Sequence, residues 1–497
     1  MWNRLNTSMM FCQMMFGFSF YGVMVILTRF FMQELNYDEA DTMMVVGAFS
    51  SIGPLFAIAG GFIADKFLGA YRSLLIAFVT FALGYVLLVL GASAINIPMS
   101  LTGIALASYA RGLMSPTYPS IYKRTFKDPQ DFENAYPINY SVNNLGSLIG
   151  KYIFPLVVLA VGFYSAFSIS VVLACLAVFT LLARRKSLLA VCAEHDKAPV
   201  SMGNWLFFIV LSCAMVGLVF FMFSNMDIGK NIVYVIGLMA ILYFIFLMVK
   251  SDKATALRMS TILIIMFLTT CFFLYYGQMM TSMTMVAINT MRGDLFNIVP
   301  IAPEASMAMN PFWCILSGPF IAVVFMKLEK RGINFSTATK MGFAFICTAI
   351  SFGILTFAVK HIAPNMVIRP EIFFVVHAFQ ALSEVIFGSL AVAFIIKVAP
   401  KTIENFSVSL YSVAMALSGI LGAVFSTSIA LDKGQALTAT FVHDTYGHYF
   451  ELLTELAVVM VAVAFVSSFI IKKILQKADK YDNGDSNPEP QLQEAHV

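Results

Sequence analysis

The segment from Phe373 to Pro400 reads FFVVHAFQALSEVIFGSLAVAFIIKVAP, an apolar stretch long enough to cross a bilayer as a helix. The carboxylate at its centre is Glu384, which follows Gln380 by one helical turn and His377 by two, so the three side chains share one helical face. An ionisable acid at bilayer depth costs about 2.5 to 3.5 kcal/mol, which favours a position on an internal cavity or a proton path. The alternative is a protonated Glu384 that hydrogen-bonds between helices and fixes their packing.

The composition of the whole chain indicates a membrane protein. Of its 497 residues, 60% are hydrophobic and 12% are charged, whereas an ordinary soluble domain has roughly 25% charged residues. Apolar windows of about 20 residues recur from 8–33 to 447–471 and leave no room for a large soluble domain. The sequence therefore predicts an all-α polytopic membrane protein with 14 transmembrane helices. The first window lacks a cleavage site, so we expect it to remain as a span.

The distribution of Lys and Arg predicts the orientation. With 14 spans both termini lie on one side, and if that side is the cytoplasm, 23 basic residues fall in cytoplasmic loops against six outside. This bias satisfies the positive-inside rule. We therefore expect a multi-pass protein of the cell (inner) membrane with cytoplasmic N and C termini. The polar composition of residues 474–497 predicts a disordered cytoplasmic tail.

Other classes of protein find no support in the sequence. It has no His-Glu-x-x-His, Gly-x-x-x-x-Gly-Lys-Ser/Thr or Gly-x-Ser-x-Gly motif, so we expect no enzyme activity. Its seven scattered cysteines have no Cys-x-x-Cys spacing and indicate packing residues, not a metal site. A net charge of +4 does not indicate a nucleic-acid partner. We expect the lipid bilayer and a small-molecule substrate as partners, and a monomer.

Two basic residues, Arg111 and Lys151, fall inside predicted spans. Arg111 lies one turn before Ser115, and Lys151 lies two turns after Asn144 on the same helical face. A buried guanidinium suits a carboxylate or a phosphate, and a buried ammonium acts as a point charge. One hypothesis is that both residues hold an anionic part of a substrate or pair in turn with Glu384. The other is that Arg111 bonds helix carbonyls and Lys151 extends to the outer interface.

Two similar short loops indicate a duplicated architecture. Gly61 to Arg72 reads GFIADKFLGAYR and Lys327 to Gly332 reads KLEKRG, so an acid, a lysine and a glycine recur in a loop between consecutive spans. Transporters built from two repeats bind substrate between their halves, near the bilayer midplane. The sequence therefore predicts a substrate cavity between two halves.

The first of these loops, with Asp65, Lys66, Gly69 and Arg72, resembles the loop motif of the major facilitator superfamily. Four other segments resemble the proton-dependent oligopeptide transporter family within it: FSFYG at 18–22, NLG at 144–146, NP at 310–311 and LSE at 382–384. The resemblance implies the major facilitator fold, with two six-helix bundles and two extra helices. The expected divisions are an N-terminal bundle at 1–186, a linker with the extra helices at 187–258, a C-terminal bundle at 259–473 and the tail at 474–497.

The resemblance also implies roles for individual residues, although the chain departs from the family pattern. The family's first-span Glu-x-x-Glu-Arg signature is absent, since Gln13, Phe16 and Gly17 occupy its positions, so the chain resembles an atypical member. Together with the buried polar residues, the resemblance gives three sets of candidates. The expected substrate-binding residues are Tyr21, Arg111, Asn144, Lys151, Gln278, Asn310, Glu384 and Tyr411; the proton-coupling residues are Glu384 and His377; the gating loop is Asp65, Lys66, Gly69 and Arg72.

The function that this resemblance implies is secondary active transport by alternating access, driven by the proton gradient and without a cofactor. The expected substrate is a di- or tripeptide or a peptide-like small zwitterion, with Arg111 and Glu384 at its opposite ends. Two alternatives stay open at the level of sequence. One is transport of a non-peptide organic anion or metabolite, such as a carboxylate siderophore or a nucleoside. The other is a ligand sensor that does not transport.

Overall fold

The computed structural model describes residues 2–361, 365–400 and 403–482, which are almost entirely helical. The helices are α1 Arg4–Arg29, α2 Glu39–Leu55, α3 Ala57–Ile63, α4 Ala70–Ala94, α5 Ile97–Arg124, α6 Pro129–Ala183, α7 Arg185–Val191, α8 Glu194–Lys197, α9 Met202–Ser224, α10 Met226–Lys250, α11 Lys253–Gln278, α12 Ser282–Thr290, α13 Met309–Lys330, α14 Thr337–Lys360, α15 Pro370–Val398, α16 Glu404–Ser426, α17 Ala439–Phe441 and α18 Gly447–Asp482. A short antiparallel hairpin, β1 Asp294–Leu295 and β2 Val299–Pro300, follows α12.

The predicted number of membrane crossings agrees with these helices. Twelve stretches of the described chain are long and apolar enough to span a membrane. One of them, α6, has 55 residues and turns at Gly162, whose φ of 83° is a conformation that favours glycine, so it forms two spans. The 28-residue α5 is long enough to span but carries more polar residues, among them Arg111. These two additions give the 14 crossings that the sequence predicts.

The helices form two halves, as the sequence predicts. In the first half α1 packs on α6 and α4 on α5; in the second, α14 packs on α15 and α18, and α11 on α16. The extra helices lie outside these bundles, with α9 against α5 and α10 against α16. Their surfaces carry exposed apolar side chains such as Leu206 and Met239, which suit contact with lipid. The fold class is therefore the predicted one.

Two glycines explain the close approach of α1 and α6. Gly146 and Gly150 are one turn apart, and a Cβ atom at either position would overlap a carbonyl oxygen of α1, that of Met14 or that of Phe18. Small residues at this spacing let two membrane helices come together at backbone distance. The contact fixes α6, and with it the side chains that α6 presents to the centre of the molecule.

Polar contacts join the two halves at one end of the bundle. We call the end where α1 begins and α18 ends the terminal face, and the other end the opposite face. At the opposite face Arg29 Nε lies 2.7 Å from Oε2 of Glu304, which is fully buried. Nearby, Glu39 accepts hydrogen bonds from Leu431 N at 2.9 Å and Asn289 Nδ2 at 3.1 Å. The halves are thus closed on each other at the opposite face.

Two sequence predictions need correction. The predicted disorder from residue 474 is wrong for its first part, because α18 continues to Asp482. Arg258, near the start of α11, pairs with Asp479 at 2.8 Å and with Asp482 at 2.5 Å, which ties this extension to the second half. Residues 483–497 of the predicted tail lie outside the described residues. The apolar residues at 259–288 predict one continuous span, but the helix is interrupted there between Gln278 and Ser282, where Thr281 has ψ of −96°.

Candidate functional site

A cavity of about 830 Å³ lies between the two halves. Helices α1, α2, α5 and α6 line it on one side, and α11, α13, α15 and α16 line it on the other. Its wall continues to Tyr136 and Ile138, which are exposed at the beginning of α6 on the terminal face. Among the described residues, the charged members of the lining are Arg111 and Glu384. Both were predicted as substrate-binding residues, one from each half.

Glu384 lies on the wall of the second half and has two partners on α13. Its Oε2 atom accepts a hydrogen bond from Asn310 Nδ2 at 2.9 Å and one from Cys314 Sγ at 3.4 Å. Asn310 and Cys314 are one turn apart on α13, so a single helical face serves the carboxylate. Two predicted substrate-binding residues, Asn310 and Glu384, therefore contact each other, and Cys314 is a partner that the sequence did not suggest.

Lys151 lies buried on the first half and faces the second. It is 2% exposed, and its Nζ atom is 5.2 Å from the ring centroid of Tyr21, a residue of the cavity wall. Its charge interacts electrostatically with Glu384 and His377. Among the described residues no carboxylate lies within 4.0 Å of it. This position contradicts the alternative in which Lys151 extends to the outer interface.

Arg111 lies on the wall of the first half with most of its donors uncommitted. Its Nη1 atom donates to the backbone oxygen of Ser50 at 2.7 Å, and the guanidinium carbon is 4.9 Å from the ring centroid of Phe20. A guanidinium carries five N–H donors, and within the described part of the chain no carboxylate comes within 4.0 Å of this one. Arg111 therefore combines the two expected features, since it bonds a helix carbonyl and also lines the cavity.

A side cavity of about 230 Å³ adjoins Arg111 within the first half. Gln13 and Phe16, which occupy positions of the family's first-span signature, line it together with Ser115 and Asn143. The Oε1 atom of Gln13 and the Oδ1 atom of Asn143 are buried and find no hydrogen-bond partner among the described residues. The uncharged amide of Gln13 thus occupies a position where the family's first-span signature has a charged side chain.

Gln278 does not lie on the cavity wall, contrary to its predicted role. It is fully buried in the second half, where its Nε2 atom donates to the backbone oxygens of Leu274 and Gly422. Its Oε1 atom accepts from Ser282 and Ser426 at 2.6 and 2.9 Å. All of its polar atoms are engaged with neighbouring helices, so its position does not support a role in substrate binding.

Asn144 and His377 lie behind the cavity wall. Asn144 donates to the backbone oxygen of Tyr140 at 3.1 Å and is not a lining residue. His377 is 1% exposed, two turns from Glu384 toward the opposite face, and its Nδ1 atom has no hydrogen-bond partner within the described residues. Gln380 lies between His377 and Glu384 on α15, and its buried Oε1 atom also has no hydrogen-bond partner among the described residues.

Aromatic hydroxyls surround the site more densely than expected. Tyr21 and Tyr411 line the cavity, as predicted, and Tyr140 and Tyr276 line it as well. All four therefore share the cavity wall with Glu384. The segment NAYPINYSVNN at 134–144 contained a signal for this, because polar and aromatic residues mix at the start of a span. Buried tyrosines need polar partners, and a cavity provides them.

The predicted gating loop lies at the terminal face. Asp65 and Lys66 are exposed, and Gly69 has φ of 82°, a left-handed conformation that favours glycine. Arg72 donates from Nη2 to the backbone oxygen of Ala198 at 2.7 Å. Asp196 of α8 accepts from the backbone nitrogen of Tyr71 at 3.1 Å. The loop is thus attached to the segment that follows the first half.

Known transporters resemble the chain over most of its length. The dipeptide and tripeptide permease B of Xenorhabdus bovienii (strain SS-2004) is 25% identical over 459 residues, which cover 91% of this chain and 92% of that protein. The permease of the same description from Edwardsiella piscicida is 26% identical over 424 residues, covering 84% and 85%. The solved structure of tetrameric PepTSo2 has a TM-score of 0.84 at 22% identity, covering 95% of this chain and 99% of that one.

A second solved structure is similar in the same way. A bacterial homologue of the human drug peptide transporters PepT1 and PepT2 has a TM-score of 0.82 at 21% identity and covers 95% of this chain. These likenesses confirm the fold. The profile of the POT family matches residues 71–440, well over half of the chain, a stretch that includes Arg111, Asn310 and Glu384. The chain therefore belongs to the POT family.

Proposed function

We propose that the protein is a secondary active transporter that couples uptake of di- and tripeptides, or of small peptide-like molecules, to the proton gradient by alternating access. The observation that carries this proposal is the cavity of about 830 Å³ between the halves, with Arg111 on one wall and Glu384 on the other. The relatives that are dipeptide and tripeptide permeases support the substrate class. Membership of the POT family makes the protein a transporter and not an enzyme.

The conformation in this structure corresponds to one end state of the transport cycle. The halves meet through Arg29 and Glu304 at the opposite face, while the cavity wall reaches exposed residues at the terminal face. We assign the terminal face to the cytoplasm because the bias of Lys and Arg places both chain ends there, in the inner membrane. In this assignment the cavity opens to the cytoplasm, as expected for a carrier that has released its substrate there.

Proton coupling is assigned to Glu384. A carboxylate on the cavity wall can take up a proton from the solvent that enters the cavity, and its charge acts on Lys151 of the other half. If substrate favours one protonation state of Glu384, that state favours substrate binding by the same factor. His377 and Gln380 lie between Glu384 and the opposite face, so His377 is assigned as an outer relay for the proton.

The change Glu384→Gln tests this coupling. We expect it to abolish concentrative uptake under a pH gradient in proteoliposomes and to preserve counterflow exchange, because the variant keeps the cavity but cannot exchange a proton. Glu455→Gln is a matched control, since Glu455 is exposed on α18 away from the cavity. Undiminished pH-driven accumulation by the Glu384 variant would refute the assignment.

We further propose that one chain is the transporting unit, because its own two halves line the cavity from both sides. One structural relative is described as a tetramer, which is compatible with several independent units in one assembly. Light scattering of the purified protein combined with uptake by dilute proteoliposomes tests this. We expect vesicles that hold one chain each to transport substrate. A loss of transport at one chain per vesicle would contradict the proposal of a single-chain unit.

A further inference from the structure

A separate cavity of about 420 Å³ lies at the terminal face, where the beginning of α1 meets the end of α6. The chain around the start of α1 contributes Trp2, Arg4 and Phe11 to its lining, and the end of α6 contributes Thr180 and Arg184. These five residues are exposed or half-buried, so the cavity lies on the outer surface of the first half. Among the described residues it shares no lining residue with the cavity between the two halves.

The charge of this outer cavity is positive. Among the described residues its lining contains Arg4 and Arg184 and no acidic side chain. Neither guanidinium has a hydrogen-bond or ion-pair partner within the described part of the chain. A guanidinium presents a planar fork of N–H donors, which matches the oxygens of a phosphate or a carboxylate. The outer cavity is therefore suited to an anion that carries several oxygens.

The lipid-facing surface of the first half ends beside the outer cavity. Phe179, the residue before Thr180, is 68% exposed, as suits contact with acyl chains. Beyond Thr180 the chain becomes basic, since residues 184–186 read RRK. On the other wall Trp2 is about half exposed, and tryptophan is enriched at the boundary between membrane and water. The outer cavity therefore lies at the level of the lipid headgroups on the terminal face.

We propose that the outer cavity binds the headgroup of an anionic phospholipid, of the phosphatidylglycerol type, from the leaflet at the terminal face. Arg4 and Arg184 bind the phosphate oxygens, and Phe179 contacts the acyl chains. Basic pockets at helix ends bind anionic headgroups through the same combination of charge and apolar surface. The lipid joins the first turn of α1 to the end of α6.

The hydroxyl groups of the lining favour glycerol over ethanolamine as the headgroup alcohol. Thr7 and Ser8 line the outer cavity, and their hydroxyls donate to the backbone oxygens of Asn3 and Arg4 at 2.8 and 2.7 Å. Their oxygen lone pairs can therefore accept hydrogen bonds from the hydroxyls of a glycerol headgroup. The ammonium of phosphatidylethanolamine would instead approach two guanidiniums and be repelled by them.

Native mass spectrometry of the purified, delipidated full-length protein tests the preference. It measures the binding of phosphatidylglycerol and phosphatidylethanolamine with identical acyl chains, and we expect phosphatidylglycerol to bind at least tenfold more tightly. The variant with Arg4→Gln and Arg184→Gln should bind phosphatidylglycerol at least tenfold more weakly than the wild type, because two basic contacts are lost. The matched control carries Lys330→Gln and Arg331→Gln, which remove two exposed charges at the end of α13, outside the outer cavity. It should bind as the wild type does.

Tryptophan fluorescence locates the bound lipid. When Trp205 and Trp313 are replaced by phenylalanine, Trp2 is the remaining tryptophan of the chain. Phosphatidylglycerol with brominated acyl chains should quench Trp2 more strongly than brominated phosphatidylethanolamine at the same mole fraction in vesicles. Adding Arg4→Gln and Arg184→Gln should remove this difference, whereas Arg4→Lys and Arg184→Lys should keep part of it.

The outcomes distinguish a lipid from a soluble phosphate. Glycerol 3-phosphate and inorganic phosphate are added as competitors, and we expect neither to displace phosphatidylglycerol. Displacement by either one at the concentration of the lipid would show a site for soluble phosphate and overturn the membrane assignment. Equal affinity of the wild-type protein for the two lipids, or unchanged affinity for phosphatidylglycerol in the arginine variant, would also overturn the proposal.

Discussion

Gln278 connects three helices of the second half through its side-chain amide. Its oxygen accepts hydrogen bonds from the hydroxyls of Ser282, Ser426 and Tyr449, and its nitrogen donates to Gly422 on α16. The α11 helix ends at this residue, and the non-helical residues 279–281 separate it from α12, which begins at Ser282. The amide therefore satisfies polar groups at a point where a membrane helix is interrupted, which is where unpaired groups would be most costly.

The change Gln278→Leu should destabilise the protein and leave substrate affinity unchanged in the fraction that folds. It removes the acceptor of three buried hydroxyls, at a cost of about 1 to 3 kcal/mol for each group left unpaired. Thermal unfolding in detergent gives the stability, and titration of the folded fraction gives the affinity. Gln130→Leu, at an exposed position near the start of α6, is the control. If the variant keeps the wild-type melting temperature but binds substrate more weakly, Gln278 contributes to substrate binding and this prediction is wrong.

Residue patterns in the sequence identified the charges of the site and misplaced some of its polar neighbours. Arg111, Lys151 and Glu384 stand out because a charge within an apolar span needs an internal partner or a cavity. Gln278 and Asn144 do not stand out in this way. A span that is apolar all round gives no periodicity from which to tell the face on a cavity from the face on a neighbouring helix. Only packing distinguishes the two.

At the scale of helices and loops, the contact between Arg29 and Glu304 holds the opposite face closed. The glutamate is fully buried, and the arginine has 16% of its side chain exposed. Removing one partner of a buried ion pair typically costs about 3 to 5 kcal/mol, because the other charge is left without compensation. Because the two residues belong to different halves, separating the halves at the opposite face breaks the pair, so its loss by mutation destabilises the closed state relative to the open one.

We therefore expect Arg29→Gln to shift the protein toward a state open at the opposite face. A cysteine placed at the buried Ser306, in a background without the seven natural cysteines, should react faster with a membrane-impermeant thiol reagent added from that side. Arg292→Gln is the control, since Arg292 pairs with Asp294 in an exposed position near the same face. Equal labelling rates in the Arg29 variant and the control would show that the pair does not hold the face closed.

The glycines of α6 make a prediction about helix packing. Gly146→Leu forces a side chain into the backbone of α1, and overpacking of this kind costs about 1 to 3 kcal/mol or more. Gly217→Leu on α9 is the control, because a Cβ atom there would meet no heavy atom within 4 Å. Thermal unfolding of both variants measures the difference. A melting temperature for Gly146→Leu as high as that of the control would contradict the assigned α1–α6 contact.

Helices were predictable in number and position but not in their ends. Hydropathy locates each span, because about 20 apolar residues are needed to cross the bilayer. It gives no signal for the helix from 474 to Asp482, whose charged residues look like a polar tail until Arg258 is seen to pair with them. It also gives none for the interruption after Gln278, because the whole stretch Lys253–Thr290 is apolar enough to count as one span.

At the scale of the whole molecule, the extra helices α9 and α10 are attached to the two bundles from outside. They contact α5 and α16, and they contribute no residue to the cavity lining. We expect a protein in which a flexible linker replaces residues 201–252 to retain pH-driven uptake, with a lower melting temperature from the lost contacts. Uptake at less than a tenth of the wild-type rate, with the altered protein properly folded and inserted, would contradict this expectation.

The overall architecture followed from the sequence, but the conformational state did not. The two similar loops predict two halves around a central cavity, and the bias of basic residues predicts the orientation in the membrane. One sequence encodes both end states of an alternating-access cycle, however, and their free energies differ by contacts such as that of Glu39 with Leu431, far apart in the chain. Such contacts become visible only in the folded molecule.

The closed opposite face has a consequence for the kinetics of transport. After substrate leaves toward the terminal face, the empty carrier must separate Arg29 from Glu304 and Glu39 from Leu431 before it can load again. If that return is the slowest step of the cycle, substrate on the terminal side accelerates the whole cycle, because it offers a loaded route back. Labelled substrate should then enter preloaded vesicles faster than empty ones, so that the protein works more quickly as an exchanger than as a pump.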